Sequence, residues 1–222
     1  MVTETLFGQG REPRVKICGI TSLADARLAI EAGADALGFN FYRSSPRYIE
    51  PREAGRIVRG LPHRVVKVGV FVDETAETVG EIVETAGLDA VQLHGRERPA
   101  LVRRLAALRP VIKVFRVRPG FSSARFRSYP EAAAFLLDGF RPGLPGGTGA
   151  RFDWTVARRA AHYGPIILAG GLAPENVAEA IVSVHPYAVD VCSGVETRPG
   201  KKDPAKVREL MREVKRIKRR RN

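Results

Sequence analysis

The sequence is poor in the residues that build disulfide frameworks and zinc sites. It contains two cysteines, Cys18 and Cys192, and four histidines among 222 residues. These residues do not cluster at the spacing that zinc ligands require, so we predict no metal site. Two cysteines are also more typical of a reducing compartment than of a disulfide-bonded secreted protein. We therefore expect a cytoplasmic location.

Long apolar runs are also absent. No stretch of about 18 uncharged apolar residues occurs, which argues against a membrane-spanning helix and a membrane partner. The N-terminal segment carries Glu4 and has no basic-then-apolar pattern, so we expect no signal peptide. Hydrophobic residues make up 44% and charged residues 27% of the chain, which is ordinary for a globular protein and disfavours disorder. We predict one domain of the α/β class.

Negative charge is scarce near the C-terminus. The formal net charge is +13, and residues 201–222 contribute +8 of it, with eleven basic and three acidic residues. A basic segment can bind nucleic acid or form the solvent face of a helix. We favour the helix, because no nucleic-acid-binding motif occurs and apolar residues recur at helical spacing. They are Val207, Leu210, Met211, Val214 and Ile217. We predict a basic helix over about 203–219 and no nucleic-acid partner.

Short β-branched runs alternate with helical segments along the chain. The predicted strands are Val15–Gly19, Ala36–Phe41, Val65–Asp73, Ala90–Gly95, Val111–Val117, Phe135–Gly139, Pro165–Gly170 and Ala188–Ser193. This alternation implies parallel strands joined by right-handed crossovers. Eight such units predict a single (β/α)8 TIM barrel over residues 15–222, preceded by an extension over residues 1–14.

An open, doubly wound sheet is the rival fold. It would place a G-x-G-x-x-G turn after the first strand, and Cys18–Ser22 does not have that pattern. Among the helices, Ser22–Ala32 opens with Ser22 and Asp25 at the spacing of a capping box. The segment Ser122–Tyr129 is the weakest predicted helix, since it is short and Pro130 follows it.

Polar residues stand on the inner face at the carboxyl ends of several predicted strands. Period-two alternation points Lys16, Cys18, Gln92, His94, Asp190 and Cys192 inward, and Ile17, Val91 and Leu93 toward the helices. Each residue also has an ordinary structural explanation. A cysteine in a strand is usually a core residue, a histidine is usually hydrogen-bonded for structure, and Asp138 can cap a loop. Because these residues share the end of a barrel where active sites form, we predict a site there.

A dozen short segments between residues 15 and 215 carry the most specific signal. In chain order they are Lys16–Ile20, Gly38–Phe39, Ser45–Arg47, Val91–Gly95, Leu136–Asp138, Gly146–Gly149, Phe152–Trp154, Ala169–Leu172, Glu175–Val177, Val189–Val191, Ser193–Glu196 and Pro199–Asp203. Together they resemble the phosphoribosylanthranilate isomerase family of tryptophan biosynthesis. Residues 1–14 precede the usual start of that family, and Cys192 stands where it more often has serine.

The resemblance implies an Amadori rearrangement of N-(5-phosphoribosyl)anthranilate. It assigns the general acid that opens the sugar ring to Asp138, and the general base that removes the C2′ proton to Cys18. Lys16, on the same strand face as Cys18, is a source of positive charge that favours the thiolate. The reaction involves no redox change and no group transfer, so we expect no cofactor and no metal.

Substrate binding is expected at loops around the same mouth. The glycine pair Gly170 and Gly171, with Ser193 and Gly194, lies where barrels commonly bind phosphate on backbone N–H groups. Arg47 offers a planar fork for the anthranilate carboxylate. The glycine-rich stretch Gly139–Gly149 reads as a flap over the mouth, or else as an unstructured connector.

We also weigh a related barrel isomerase of histidine biosynthesis. It generally uses two aspartates, so the pairing of Cys18 with Asp138 argues against it. Lys16, Gln92, His94 and Asp190 are expected to support the site. The predicted partner is a small phosphosugar-anthranilate substrate, and the chain is expected to be a monomer or homodimer.

Overall fold

Eight parallel strands close into a barrel in the computed structural model, which describes residues 13–139 and 153–221. They are β1 Arg14–Cys18, β2 Ala36–Asn40, β3 Val66–Phe71, β4 Ala90–Leu93, β5 Val111–Val117, β6 Ala134–Gly139, β7 Ile166–Leu168 and β8 Ala188–Val191. Each strand pairs with the next in the chain, and β8 pairs with β1. The predicted (β/α)8 barrel is confirmed, and the open sheet is excluded because both edges are paired.

Helices follow most of these strands and surround the barrel. In the described residues they are α1 Leu23–Ala32, α2 Pro51–Arg59, α3 Ala76–Ala86, α4 Pro99–Ala106, α5 Thr155–Ala160, α6 Val177–Val184 and α7 Pro204–Arg221. After β5 the chain forms a 3-10 helix, Ser123–Ser128, at the weakest predicted helix. None of the helices in these ranges is both long enough and apolar enough to cross a membrane.

The inward and the outward faces of the strands each carry a separate layer of buried apolar residues. Inside the barrel the buried layer consists of Ala36, Val66, Val68, Ala90, Ile112, Val114, Ala134, Leu136, Ile167, Ala169 and Ala188. Ile17, Val91 and Leu93 belong to the larger outer layer beneath the helices, as alternation predicted. The inner layer is apolar lower in the barrel and gives way to polar residues at the carboxyl ends of the strands.

Only one of the two hydrogen bonds of the predicted capping box forms at the start of α1. The backbone N–H of Asp25 donates to Ser22 Oγ at 3.1 Å, which caps the helix as expected. The carboxylate of Asp25 does not return to Ser22. It accepts from Lys201 Nζ at 2.8 Å and from the backbone N–H of Lys202 at 3.3 Å. A partner distant in sequence therefore replaces the local one.

A short hairpin that the sequence did not predict lies between β8 and the last helix. It pairs β9, Glu196–Arg198, with β10, Lys201–Lys202, in antiparallel fashion. Gly200 forms the turn with φ +79°, a backbone conformation that favours glycine. The eighth predicted strand is correspondingly too long, because β8 ends at Val191 and a 3-10 helix, Ser193–Val195, follows. The hairpin brings buried Glu196 and Lys202 toward the mouth of the barrel.

The C-terminal helix α7 is held by its apolar stripe. Asp203 caps it by accepting from the backbone N–H groups of Ala205 and Lys206. The helix packs against α6 and α1, and every residue of the predicted stripe is buried. The basic residues that alternate with this stripe, such as Arg208 and Arg212, are exposed. The prediction of an amphipathic helix at this end of the chain is thus confirmed.

We expect Leu210→Ala to lower the free energy of unfolding by roughly 2–5 kcal/mol, because Leu210 is fully buried and its loss leaves a cavity. The matched control is Leu108→Ala, since Leu108 is 54% exposed and its loss should cost less than about 0.5 kcal/mol. Urea unfolding followed by circular dichroism measures both values. Equal effects of the two substitutions would contradict the packing role of α7.

Candidate active site

A cavity of about 300 Å³ opens at the carboxyl ends of the strands. Of the predicted site residues it is lined by Cys18, Arg47, Gln92, His94, Asp138, Gly170, Gly171, Asp190 and Ser193. Cys192 lines it as well. Two predicted residues are not part of the lining, Lys16 and Gly194. The structure therefore brings together in one cavity residues that lie up to 175 positions apart in the chain.

Lys16 lies beneath the cavity, in an ion pair across the barrel seam, which is the line where β1 pairs with β8. Lys16 on β1 is directly opposite Asp190 on β8, and Lys16 Nζ lies 2.9 Å from Asp190 Oδ1. Burial lowers the pKa of Lys16, but the charges of Asp190 and Cys18 outweigh it and raise that pKa above its usual range. Burial also raises the pKa of Asp190, to about 7. Lys16 therefore stays positively charged throughout the physiological pH range.

The thiol of Cys18 stands at the end of β1, next to this lysine. A hydrogen bond from Cys192, together with the positive charges of Lys16 and Lys202, lowers the pKa of Cys18 well below its ordinary value, against the effect of burial. Gly38 on β2 makes room for this arrangement. A Cβ atom there would lie 2.7 Å from Cys18 Sγ and 2.9 Å from Lys16 Nζ. Cys18 is thus prepared to act as a thiolate.

Asp138, near the end of β6, provides a carboxyl group to the same cavity. Its side chain is 4% exposed, and its Oδ2 lies 3.4 Å from Nε2 of His94. His94 follows β4, which ends two residues earlier than the predicted strand Ala90–Gly95, and the backbone N–H of His94 donates to the carbonyl of Phe71. Gln92 lies below it, and no hydrogen-bond partner for Gln92 Oε1 occurs among the described residues.

The loop after β7 has a backbone suited to an anion. Gly170 and Gly171 have φ of +86° and +64°, so both adopt the left-handed conformation that glycine favours. Asn176 holds this loop: its Nδ2 donates to the carbonyl of Gly171 at 2.8 Å, and its Oδ1 accepts from the backbone N–H of Ala173 at 3.0 Å. The role of Asn176 was missed from the sequence. Its one signal was its place in the Glu175–Val177 segment.

Gly194, after β8, touches this loop through its backbone. A Cβ atom at Gly194 would lie 2.0 Å from the carbonyl oxygen of Leu172, so a side chain cannot fit. Gly194 therefore lets the loops after β7 and β8 approach closely, while Ser193 faces the cavity. Two backbone segments meet there.

Arg47 enters the cavity from the loop after β2, already paired with a carboxylate. Its Nε lies 3.0 Å from Glu196 Oε1, and its Nη2 lies 2.7 Å from Glu196 Oε2. Glu196 was not predicted as a site residue, because it belongs to the unpredicted hairpin. The Arg47–Glu196 pair thus forms one wall of the mouth.

Two further predictions concern residues at or beyond the edge of the described ranges. Of the predicted flap Gly139–Gly149, all but Gly139 lies outside the described residues, and so does most of the extension over residues 1–14. In residues 13–139 and 153–221, no group of three or more acidic, histidine or cysteine side chains is arranged to bind a metal ion.

We expect Lys16→Met to raise the pKa of Cys18, because it removes the positive charge that favours the thiolate. The pH midpoint of Cys18 alkylation by iodoacetamide, followed by mass spectrometry, should shift upward by at least about one unit. Lys67→Met is the matched control, since Lys67 is also a buried strand lysine but pairs with Asp89 on the outer face. The same midpoint in wild type and Lys16→Met would contradict the proposed electrostatic role.

The sequence matches one protein family over most of its length. The family model described as N-(5'phosphoribosyl)anthranilate (PRA) isomerase matches residues 15–213. The N-(5'-phosphoribosyl)anthranilate isomerase of Citrifermentans bemidjiense is 55% identical over 207 residues, which is 92% of this chain and 98% of the relative.

Solved structures show the same fold. The phosphoribosyl anthranilate isomerase of Thermus thermophilus superposes with a TM-score of 0.85 at 41% identity, covering 92% of this chain and 99% of that one. A second such isomerase, solved in complex with reduced 1-(o-carboxyphenylamino)-1-deoxyribulose 5-phosphate, has a TM-score of 0.83 at 43% identity, covering 91% and 98%. Fold and sequence agree, and the chain belongs to the N-(5'-phosphoribosyl)anthranilate isomerase family.

Proposed function

We propose that this protein converts N-(5-phosphoribosyl)anthranilate to 1-(2-carboxyphenylamino)-1-deoxyribulose 5-phosphate in tryptophan biosynthesis. The observation that carries the proposal is the pairing of a thiol, Cys18, with a carboxyl group, Asp138, across one cavity. The two groups come from β1 and β6, so they can reach a bound sugar from different sides. Family membership supports the same reaction.

The first step of the proposed mechanism opens the furanose ring. Asp138 gives a proton to the ring oxygen, and the bond from that oxygen to C1′ breaks. The nitrogen lone pair forms a double bond to C1′, which yields a protonated Schiff base. This step requires Asp138 to be protonated when substrate binds; the carboxyl group is buried, and its Oδ2 lies 3.4 Å from Nε2 of His94.

The second step removes a proton from C2′. The positive nitrogen acidifies this C–H bond, and the thiolate of Cys18 takes the proton. The electron pair forms a C1′–C2′ double bond while the C=N electrons return to nitrogen, which gives the enolamine form of the product. The positive charge of Lys16 keeps Cys18 deprotonated, and Asp190 holds Lys16 in place.

No electrons are gained or lost and no group is transferred, so this mechanism requires neither cofactor nor metal. We assign Cys18 and Asp138 as the catalytic residues, with Lys16 and Asp190 supporting the base. His94 borders the acid, and His94 and Gln92 are assigned supporting roles. The use of a cysteine at the end of β1 separates this site from the two-aspartate isomerase of histidine biosynthesis.

The proposed binding mode uses the loops at the mouth of the cavity. The phosphate would accept hydrogen bonds from backbone N–H groups of the Gly170–Gly171 turn and of Ser193 and Gly194. The anthranilate carboxylate would meet Arg47, which enters the cavity from the loop after β2. A cavity of about 300 Å³ suits a ligand of this size.

We also propose a domain organisation, a cellular location and an oligomeric state. Residues 15–222 would form the catalytic domain, and residues 1–14 an extension, although β1 itself begins at Arg14. The location would be cytoplasmic, which the two free thiols of Cys18 and Cys192 support. The oligomeric state would be a monomer or a homodimer, which sedimentation of the purified protein would decide.

The direct test adds purified protein to freshly made phosphoribosylanthranilate and follows the loss of its fluorescence. We expect Cys18→Ala and Asp138→Asn each to lower kcat on the order of 10²–10⁴-fold, because each removes a proton-transfer group. Asp89→Asn is the control, since Asp89 lies just before β4, at the opposite end of the barrel. If a variant of either residue folds and keeps more than about a tenth of wild-type kcat, the catalytic role of that residue is contradicted.

We expect Arg47→Ala to act mainly on KM, because the carboxylate that it would bind is present from substrate to product. Loss of a charge-assisted hydrogen bond costs roughly 1.5–3 kcal/mol, which corresponds to an increase of about ten- to 150-fold in KM. Steady-state kinetics with the same fluorescence assay separates KM from kcat. Unchanged kcat/KM would remove Arg47 from the binding site.

A further inference from the structure

The proposed mechanism gives no role to Glu196 or to the Pro199–Asp203 segment. Lys202 in this segment is a lysine with no exposed side-chain surface, which is rare unless its charge is paired. Its ammonium group donates to Glu196 Oε1 at 2.9 Å and to the backbone carbonyl oxygens of Cys18 and Cys192. Lys202 therefore contacts the strand that carries the proposed base.

The two carbonyl contacts lie where the first and last strands separate. The register of β1 with β8 ends at Ile17 and Val191, one residue before each cysteine. Beyond that point the described residues show no further pairing between these strands, and the ammonium of Lys202 bridges the two carbonyl groups instead. Lys202 thus closes the barrel seam at the level of the cavity.

The hairpin that carries Lys202 is itself attached to α1 and its preceding loop. The backbone N–H of Lys202 donates to Asp25 Oδ2 at 3.3 Å, and the hydroxyl of Thr21 donates to the carbonyl of Gly200 at 2.6 Å. These bonds connect the hairpin to the segment that follows β1. They give Lys202 a defined position relative to Cys18.

Glu196 connects this lysine to Arg47. One carboxylate oxygen, Oε1, accepts from both Lys202 Nζ and Arg47 Nε, while Oε2 accepts from Arg47 Nη2. The side chain of Glu196 is only 3% exposed, so the three charges act on each other with little solvent screening. Two positive groups and one negative group leave this triad with a net charge of +1.

We propose that Lys202 is a positioning residue for substrate binding: it offsets the charge of Glu196, so that Glu196 orients Arg47 without cancelling its attraction for the substrate carboxylate. This inference rests on the proposed function and deepens it. Without Lys202, the Arg47–Glu196 pair is neutral and offers a carboxylate an oriented guanidinium with no net charge. Lys202 itself is not a catalytic residue, because it does not line the cavity.

The test compares two inhibitors in Lys202→Met. One is reduced 1-(o-carboxyphenylamino)-1-deoxyribulose 5-phosphate, and the other is the same compound without the carboxylate. We expect the inhibition constant of the first to rise by about tenfold, and that of the second to change by less than about twofold. The matched control is Lys201→Met, since the Lys201 side chain is 47% exposed and pairs with Asp25, away from Arg47. It should leave both constants within about twofold of wild type.

A charge-restoring variant separates electrostatics from loss of packing. Adding Glu196→Gln to Lys202→Met returns the net charge of the group to +1, so most of the affinity for the carboxylate inhibitor should return. A merely structural role of Lys202 would weaken both inhibitors alike and would not be rescued. Equal losses for the two inhibitors, or no recovery in the double variant, would overturn the proposal.

If Lys202→Met does not fold, the single variant Glu196→Gln tests the proposed electrostatic role of Lys202. Removing one negative charge beside Arg47 should tighten the carboxylate inhibitor by about threefold and leave the other unchanged. Equal or weaker binding of the carboxylate form would overturn the proposal. Failure of the proposed function is separately visible, because wild-type protein would then neither consume phosphoribosylanthranilate nor bind either inhibitor.

Discussion

The ion pair between Lys16 and Asp190 is the interaction on which the site depends. It joins the first and last strands of the barrel at the same level, so closure of the barrel and placement of a buried positive charge are one event. Two charges in a low-dielectric interior are stable only when they are paired and hydrogen-bonded. The pair places a permanent cation beside Cys18, and a cysteine thiol becomes a useful base only beside such a charge.

A second layer of charge lies above this pair, at the mouth of the cavity. Lys202, Glu196 and Arg47 form a continuous set of hydrogen bonds from the strand ends to the cavity wall. The lower lysine acts on the proton chemistry, and the upper group acts on binding and, through the charge of Lys202, also lowers the pKa of Cys18. The two layers share Cys18, whose thiol responds to Lys16 and whose carbonyl group accepts from Lys202. Alternating positive and negative groups avoid the cost of burying like charges together.

Much of the fold was predictable because its signals are local. The alternation of β-branched runs with amphipathic segments placed all eight strands, with errors at their ends, and period two assigned Ile17 and Val91 to the outer layer correctly. The strand ends were predicted less accurately than the strands themselves, since β4 stops at Leu93 and β7 spans only Ile166–Leu168. Where a strand ends depends on whether the neighbouring strand offers hydrogen-bond partners. The sequence of a single segment does not contain that information. The half-formed capping box of Asp25 has the same cause, because its carboxylate found a distant lysine instead.

The sequence by itself determined the strand order, the residues that face the barrel interior, the amphipathic C-terminal helix and the choice of Cys18 and Asp138 as candidates for proton transfer. These follow from residue periodicity and from motifs that resemble a known family. Only the tertiary structure decided that Arg47 is paired with Glu196, that Asn176 holds the loop after β7, and that Lys202 bridges two strand ends. The physical reason is that such contacts join residues up to 184 positions apart, where hydrogen-bond geometry and burial, rather than local spacing, select the partner.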